Sequence, residues 1–135
     1  MTKARMTQHD KTYDRDYFDR WYRNAGIGGQ QRLQRKVALA VATAEYHLGR
    51  PIRSVLDIGC GEGVWRAPLL KLRPKLRYLG FDSSEYAIQR YGARRNLHFA
   101  RFGDFEMLRP CAPVDLLICS DVLHYLPTRE LDRGL

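Results

Sequence analysis

At 135 residues and 15.7 kDa, with 44% hydrophobic and 28% charged residues, the chain is long enough for one globular domain and too short for two. Its formal charge of +8 comes from 23 Lys and Arg, 18 of them Arg, scattered from Arg5 to Arg133 without a run of five like charges, so the excess reads as a solvated basic surface. Cys60, Cys111 and Cys119 sit at no metal-ligand spacing, which argues against a disulfide framework or a metal site. With no apolar leader and no apolar stretch of roughly 18 residues, no membrane partner is expected and the chain reads as cytoplasmic.

In chain order, residues 1 to about 12 are polar, and Tyr13, Tyr17, Phe18, Trp21 and Tyr22 then recur at helical spacing. Three glycines within Gly26-Ile27-Gly28-Gly29 predict a turn or hinge, so residues 1–29 read as an aromatic helical segment set apart from residues 30–135. From Gln30 to Leu48 the apolar positions Leu33, Val37, Val41, Ala44 and Leu48 predict an amphipathic helix closed by Gly49 and Pro51. Ser54 to Cys60 predicts a buried strand running into the turn Gly61-Glu62-Gly63, and Val64 to Leu72 a helix with Pro68 near its start. Arg77 to Asp82, Leu97 to Arg101 and Val114 to Cys119 predict three further strands, with a helix from Ser84 to Tyr91 between the first two. The alternation points to an α/β sandwich, a mainly parallel sheet covered by helices on both faces, and the apolar run 114–119 reads as a central strand.

In such sheets ligands bind outside the carboxyl ends of the strands, and the unusual residues of this chain fall there. The first strand ends in Asp57-Ile58-Gly59-Cys60-Gly61-Glu62-Gly63, where glycines let a ligand approach the backbone. The second ends at Asp82, 19 residues beyond Gly63, where a carboxylate can accept from both hydroxyls of a ribose, or instead cap the following helix. The third leads to Gly103-Asp104-Phe105 and the fourth to Ser120-Asp121. Asp57 lies within a strand, and a buried carboxylate there is expected to take hydrogen bonds from backbone amides.

These four pieces in order, from Val55 to Gly63, then Asp82, Gly103-Asp104 and Val114 to Leu126, resemble the class I S-adenosylmethionine-dependent methyltransferases over about residues 30–135. The resemblance implies a Rossmann-like three-layer sandwich with strands 1–4 present and the C-terminal strands missing. It implies S-adenosylmethionine as cofactor, with Asp57, Gly59, Cys60, Gly61, Gly63 and Ser120 around the methionine part. It also implies Asp82 at the ribose, Asp104 and Phe105 at the adenine, and Ser83 among the cofactor-binding residues. His124 and Asp121 would be candidates for a general base, and Tyr13, Tyr17, Tyr22 and Tyr125 for lid or acceptor contacts.

A small-molecule methyl acceptor is the expected substrate. RNA or protein is an alternative suggested by the charge but by no nucleic-acid motif, and a non-catalytic binding module is another. A nicotinamide-dependent oxidoreductase is remote, because the loop reads GxGxG and places Glu62 where a pyrophosphate would lie. Without a fifth strand, 114–119 would be an open edge, expected to be covered by a continuation of the polypeptide, a second chain or a symmetric dimer.

Overall fold

The computed structural model describes residues 13–19, 26–106, 112–120 and 128–134. A four-residue turn of helix, α1 (Arg15–Phe18), is capped by Asp14, whose carboxylate accepts from the Tyr17 amide at 3.1 Å. The long helix α2 (Gly26–Leu48) leads to β1 (Ser54–Ile58), α3 (Arg66–Leu72), β2 (Arg77–Asp82), α4 (Glu85–Arg95) and β3 (Leu97–Phe99). A 3₁₀ turn (Phe102–Glu106), β4 (Leu116–Ile118) and α5 (Thr128–Gly134) follow, and α5 packs against the 3₁₀ turn.

All pairings are parallel, in the order β3-β2-β1-β4. Two successive right-handed crossovers that step in the same direction put their helices on one face. Accordingly Val37 and Val41 of α2, Trp65 and Leu69 around α3, and Ile88 and Tyr91 of α4 pack with Val55, Tyr78, Leu97 and Ile118 into one core. The opposite face is less covered by the described residues. Leu56, Leu79 and Phe81 there are half-buried and Leu117 is 56% exposed.

Two expectations are corrected. Gly26 to Gly29 form the first turn of α2 rather than a hinge, because glycine's helix penalty of about 1 kcal/mol per residue is a weak preference that a long amphipathic helix overrides. Residue 29 is therefore inside a helix. The strand predicted over 114–119 is shorter, Leu116–Ile118, and among the described residues it pairs only with β1, so it is an edge of the described sheet rather than its centre. Its apolar residues reflect burial against the core through Ile118, and the run did not report how many neighbours the strand has. Helices α2, α3 and α4 contribute to the core on one face of the sheet.

Pro68 occupies the third position of α3, where its missing amide costs no intrahelical bond. The C-cap of α4 is Asn96 in the left-handed conformation, and its side-chain amide donates to the Tyr78 carbonyl at 2.8 Å, tying α4 to β2. No helix among the described residues is long and apolar enough to cross a membrane.

Candidate functional site

Parallel register brings the carboxyl ends of β1 and β2 side by side, Ile58 opposite Phe81. The chain then turns through Gly59, Gly61 and Gly63, all at positive φ (68°, 57° and 73°), a conformation side-chain-bearing residues rarely adopt. The turn is stitched to β2: the amides of Gly59 and Cys60 both donate to the Phe81 carbonyl, at 2.7 and 3.0 Å. Gly61 donates to Asp82 Oδ2 at 2.8 Å. Cys60 points its buried side chain into the core toward Gly80, so only its backbone faces the loop. Burial, reinforced by the negative charge of Asp57, pushes its thiol well above the ordinary range, which makes it inert as a nucleophile.

Asp82 does not cap α4. Ser84 does, its Oγ accepting from the Ala87 amide at 3.2 Å. The Asp82 carboxylate instead joins two turns, accepting from Gly61 and, at 2.8 Å, from the Ser84 amide, with the Ser83 amide contributing as well. Burial raises its pKa, and those amide bonds pull against the rise. A carboxylate offers about four acceptor positions and three are taken by amides, so room remains for about one further donor.

Asp57 corrects another expectation. Its side chain is 2% exposed, and its partner is the phenol of Tyr78, which donates to Oδ2 at 2.5 Å, rather than a backbone amide. The strand ladder already uses the local amides, so the carboxylate is satisfied by a side chain from the next strand. Burial pushes the Asp57 carboxyl up to about 7, the Tyr78 hydrogen bond works downward, and the charge of Asp82 adds to the rise. Neither Asp57 nor Asp82 pairs with a Lys or Arg among the described residues.

The other sequence candidates divide. Ser120, just past β4, accepts at 2.7 Å from Lys36 of α2, whose ammonium also lies 6.0 Å from the centre of the Trp65 ring. Asp104 is exposed and closes its turn by accepting from the Arg101 amide at 2.8 Å. Phe105 belongs to the same turn, but its side chain lies outside the described residues, as do Tyr22, Asp121, His124 and Tyr125. Tyr13 and Tyr17 meet edge to face at 5.0 Å, and buried Phe18 stacks on Tyr86 of α4 at 5.8 Å. Ser84 Oγ donates to the Tyr13 carbonyl at 2.7 Å, so α1 docks beside the Asp82 corner.

Tyr78 and Lys36 escaped the sequence reading. Tyr78 looks like any strand aromatic until the register sets it against Asp57, and Lys36 lies in an amphipathic helix where a lysine is expected to face water. The main-chain carbonyl of Glu62 is held by Arg95 at 2.7 Å, and that guanidinium stacks on Tyr91 at 4.2 Å.

The site is therefore a glycine turn between buried Asp57 and half-buried Asp82, neither of them paired with a Lys or Arg among the described residues, an acceptor set that suits a cationic ligand with hydroxyls and repels a pyrophosphate.

Comparison with known proteins agrees with that geometry. A family profile described as "Methyltransferase domain" matches residues 56–135. Trans-aconitate 2-methyltransferase of Deinococcus radiodurans is 38% identical over 80 residues, covering 58% of this chain and 30% of that protein. The same enzyme of Azoarcus sp. is 36% identical over 76 residues, covering 55% and 29%. This chain thus spans about three-tenths of the length of these curated relatives.

Among solved structures, a SAM dependent methyltransferase from Archaeoglobus fulgidus superposes with a TM-score of 0.63 at 22% identity, covering 88% of this chain and 49% of that one. Magnesium protoporphyrin IX methyltransferase from Synechocystis PCC 6803, with bound SAH, gives 0.58 at 27% identity, covering 90% and 61%. The fold is the Rossmann-like α/β fold of the methyltransferases. With more than half of its residues matched by the family profile, the chain belongs to the methyltransferase domain family.

Proposed function

We propose that this chain carries the S-adenosylmethionine-binding part of a cytoplasmic methyltransferase that acts on a small-molecule acceptor. The observation that carries the reading is the pair of carboxylates, buried Asp57 and half-buried Asp82, flanking a turn whose three glycines leave the backbone open. S-adenosylmethionine, when bound, supplies an electrophilic methyl carbon on a sulfonium.

Toward such a ligand, the Gly59-Cys60-Gly61 backbone would line the methionine part, with the negative charge of Asp57 behind it. Asp82 would accept from a ribose hydroxyl through its remaining lone pair, held in place by Gly61 and Ser84. Ser83, Asp104 and Phe105 would border the nucleoside, and Ser120 would face the methionine end with Lys36 beside it. Tyr17, Tyr22 and Tyr125 would meet the lid or the acceptor, and Asp121 or His124 would take a proton if the acceptor arrives protonated. Alignment and exclusion of water would supply most of the acceleration. The curated relatives that methylate trans-aconitate support a small acceptor.

Isothermal calorimetry with S-adenosylmethionine tests the reading. Saturable binding at micromolar concentrations is expected, and no heat at millimolar cofactor from a protein with a cooperative melt would overturn it. Nicotinamide dinucleotide should not bind.

A further inference from the structure

Asp57 is the fourth residue of β1 and Tyr78 the second of β2. Because the register sets Val55 against Tyr78 and Asp57 against Gly80, the phenol and the carboxylate share a face one diagonal step apart. Gly80, opposite Asp57, lies tight against Leu97 and Cys60. A Cβ there would lie 2.7 Å from Leu97 Cδ2 and 2.9 Å from Cys60 Sγ. Tyr78 is 5% exposed, and its hydroxyl makes the only hydrogen bond to the Asp57 carboxylate among the described residues. The strand ladder already holds β1 to β2, and a phenylalanine would fill almost the same volume, so the hydroxyl is not required for packing.

We propose that Tyr78 is a positioning residue: its hydroxyl holds the Asp57 carboxylate toward its ionised form behind the glycine turn, so that uptake of a cationic ligand head there is coupled to loss of a proton from Asp57. This rests on the cofactor reading above.

The groups facing Asp57 are Tyr78 and Asp82 of β2, Cys60 of the turn and Cys119 beyond β4, while Arg66 of α3 acts on Tyr78. Burial keeps the Tyr78 phenol and both thiols protonated through the neutral range, so Tyr78 stays a donor throughout. Asp82 is also raised by burial, but three backbone amides oppose the rise. Asp57 is pushed up to about 7, so it exchanges a proton near neutrality. A cation at the turn favours its charged form, and the displaced proton goes to solvent.

The test is calorimetric titration of S-adenosylmethionine into the wild-type, Tyr78→Phe and Asp57→Asn proteins, across neutral pH and in buffers of different ionisation enthalpy. For the wild type, proton release and affinity about tenfold higher near pH 8 than near pH 6 are expected. In Tyr78→Phe the midpoint should rise by about one pH unit, weakening binding about fivefold near pH 7 and restoring it in alkali. Asp57→Asn should lose the neutral step.

Wild-type binding without proton release, or a Tyr78→Phe loss equal at every pH, overturns the inference and leaves the cofactor reading standing. No binding by the folded wild type overturns both. Urea unfolding of the ligand-free proteins reads the same titration independently, and an identical pH midpoint in wild type and Tyr78→Phe would also overturn the coupling.

Discussion

At the carboxyl ends of the strands, Asp57 and Asp82 are held by a phenol and by backbone amides, whereas at the amino ends Asp115 and Glu45 are held by arginines. Arg50 grips Asp115 through two nitrogens, at 2.9 and 2.8 Å, and Arg73 likewise reaches both oxygens of Glu45. The same residue types are therefore pushed in opposite directions. Burial raises Asp57 and Asp82, while the hydrogen bonds from Arg50 and Arg73 lower Asp115 and Glu45. Charge at the amino ends is compensated within the chain and ties α2, the segment before β4 and the segment before β2 together. Asp57 and Asp82 at the carboxyl ends have no Lys or Arg partner among the described residues, which is what the proposed cationic ligand would supply.

The sharpest way to break this comparison is to remove one carboxylate from each end. Asp82→Ala should weaken S-adenosylmethionine binding about a hundredfold, since a hydrogen bond to a charged acceptor and the tie between the two turns are both lost, whereas Asp115→Ala should leave affinity within about twofold and lower the melting temperature. Equal losses in calorimetry would mean that the two ends are not functionally distinct. A smaller effect is expected from Gly80→Ala, whose methyl must displace Leu97 and Cys60; urea denaturation should show a loss of about 2 kcal/mol.

The pH dependence of stability should have opposite sign at the two ends. Asp57 titrates at about 7 when folded and near the ordinary carboxylate value of 3.8 when unfolded, so the folded state holds the extra proton between those values and stability falls as pH rises through that window. Asp57→Asn should remove that fall and leave the variant about 1 to 2 kcal/mol more stable than wild type near pH 8. Asp115 is depressed in the folded protein, so its contribution is present above its unfolded value and disappears as pH falls below it. Asp115→Asn should therefore narrow to wild-type stability in acid. Urea midpoints measured from acid to alkali would expose a common sign, which would contradict the assignment.

The smallest expected effect is at the rim. Ser84→Ala removes the α4 cap and the bond to the Tyr13 carbonyl, and should cost about 1 kcal/mol. Amide exchange at Tyr17 and Phe18 should quicken in that variant if the cap and the docking of α1 are one unit.

Much of this was legible in order along the chain. β2 matches its predicted bounds, β1 falls short by two residues, and Ser84 was already placed at the start of its helix. The glycine turn and Asp82 were readable because positive φ and strand-end carboxylates leave local marks. Gly26 to Gly29 misled, since a residue type that favours turns also tolerates the first turn of a helix. The partner of Asp57 was misread as a backbone amide because the donor sits 21 residues away on another strand.

By itself, then, the sequence determined the alternation of strand and helix, the turn after β1 and the carboxylate after β2, all of which depend on near neighbours and backbone preference. Only the tertiary structure decided that Tyr78 meets Asp57, that Lys36 meets Ser120, that β4 flanks β1, and that one class of carboxylate is neutralised by arginine while the other is not. Those outcomes depend on register and burial, which arise when distant segments pack and which no local spacing encodes.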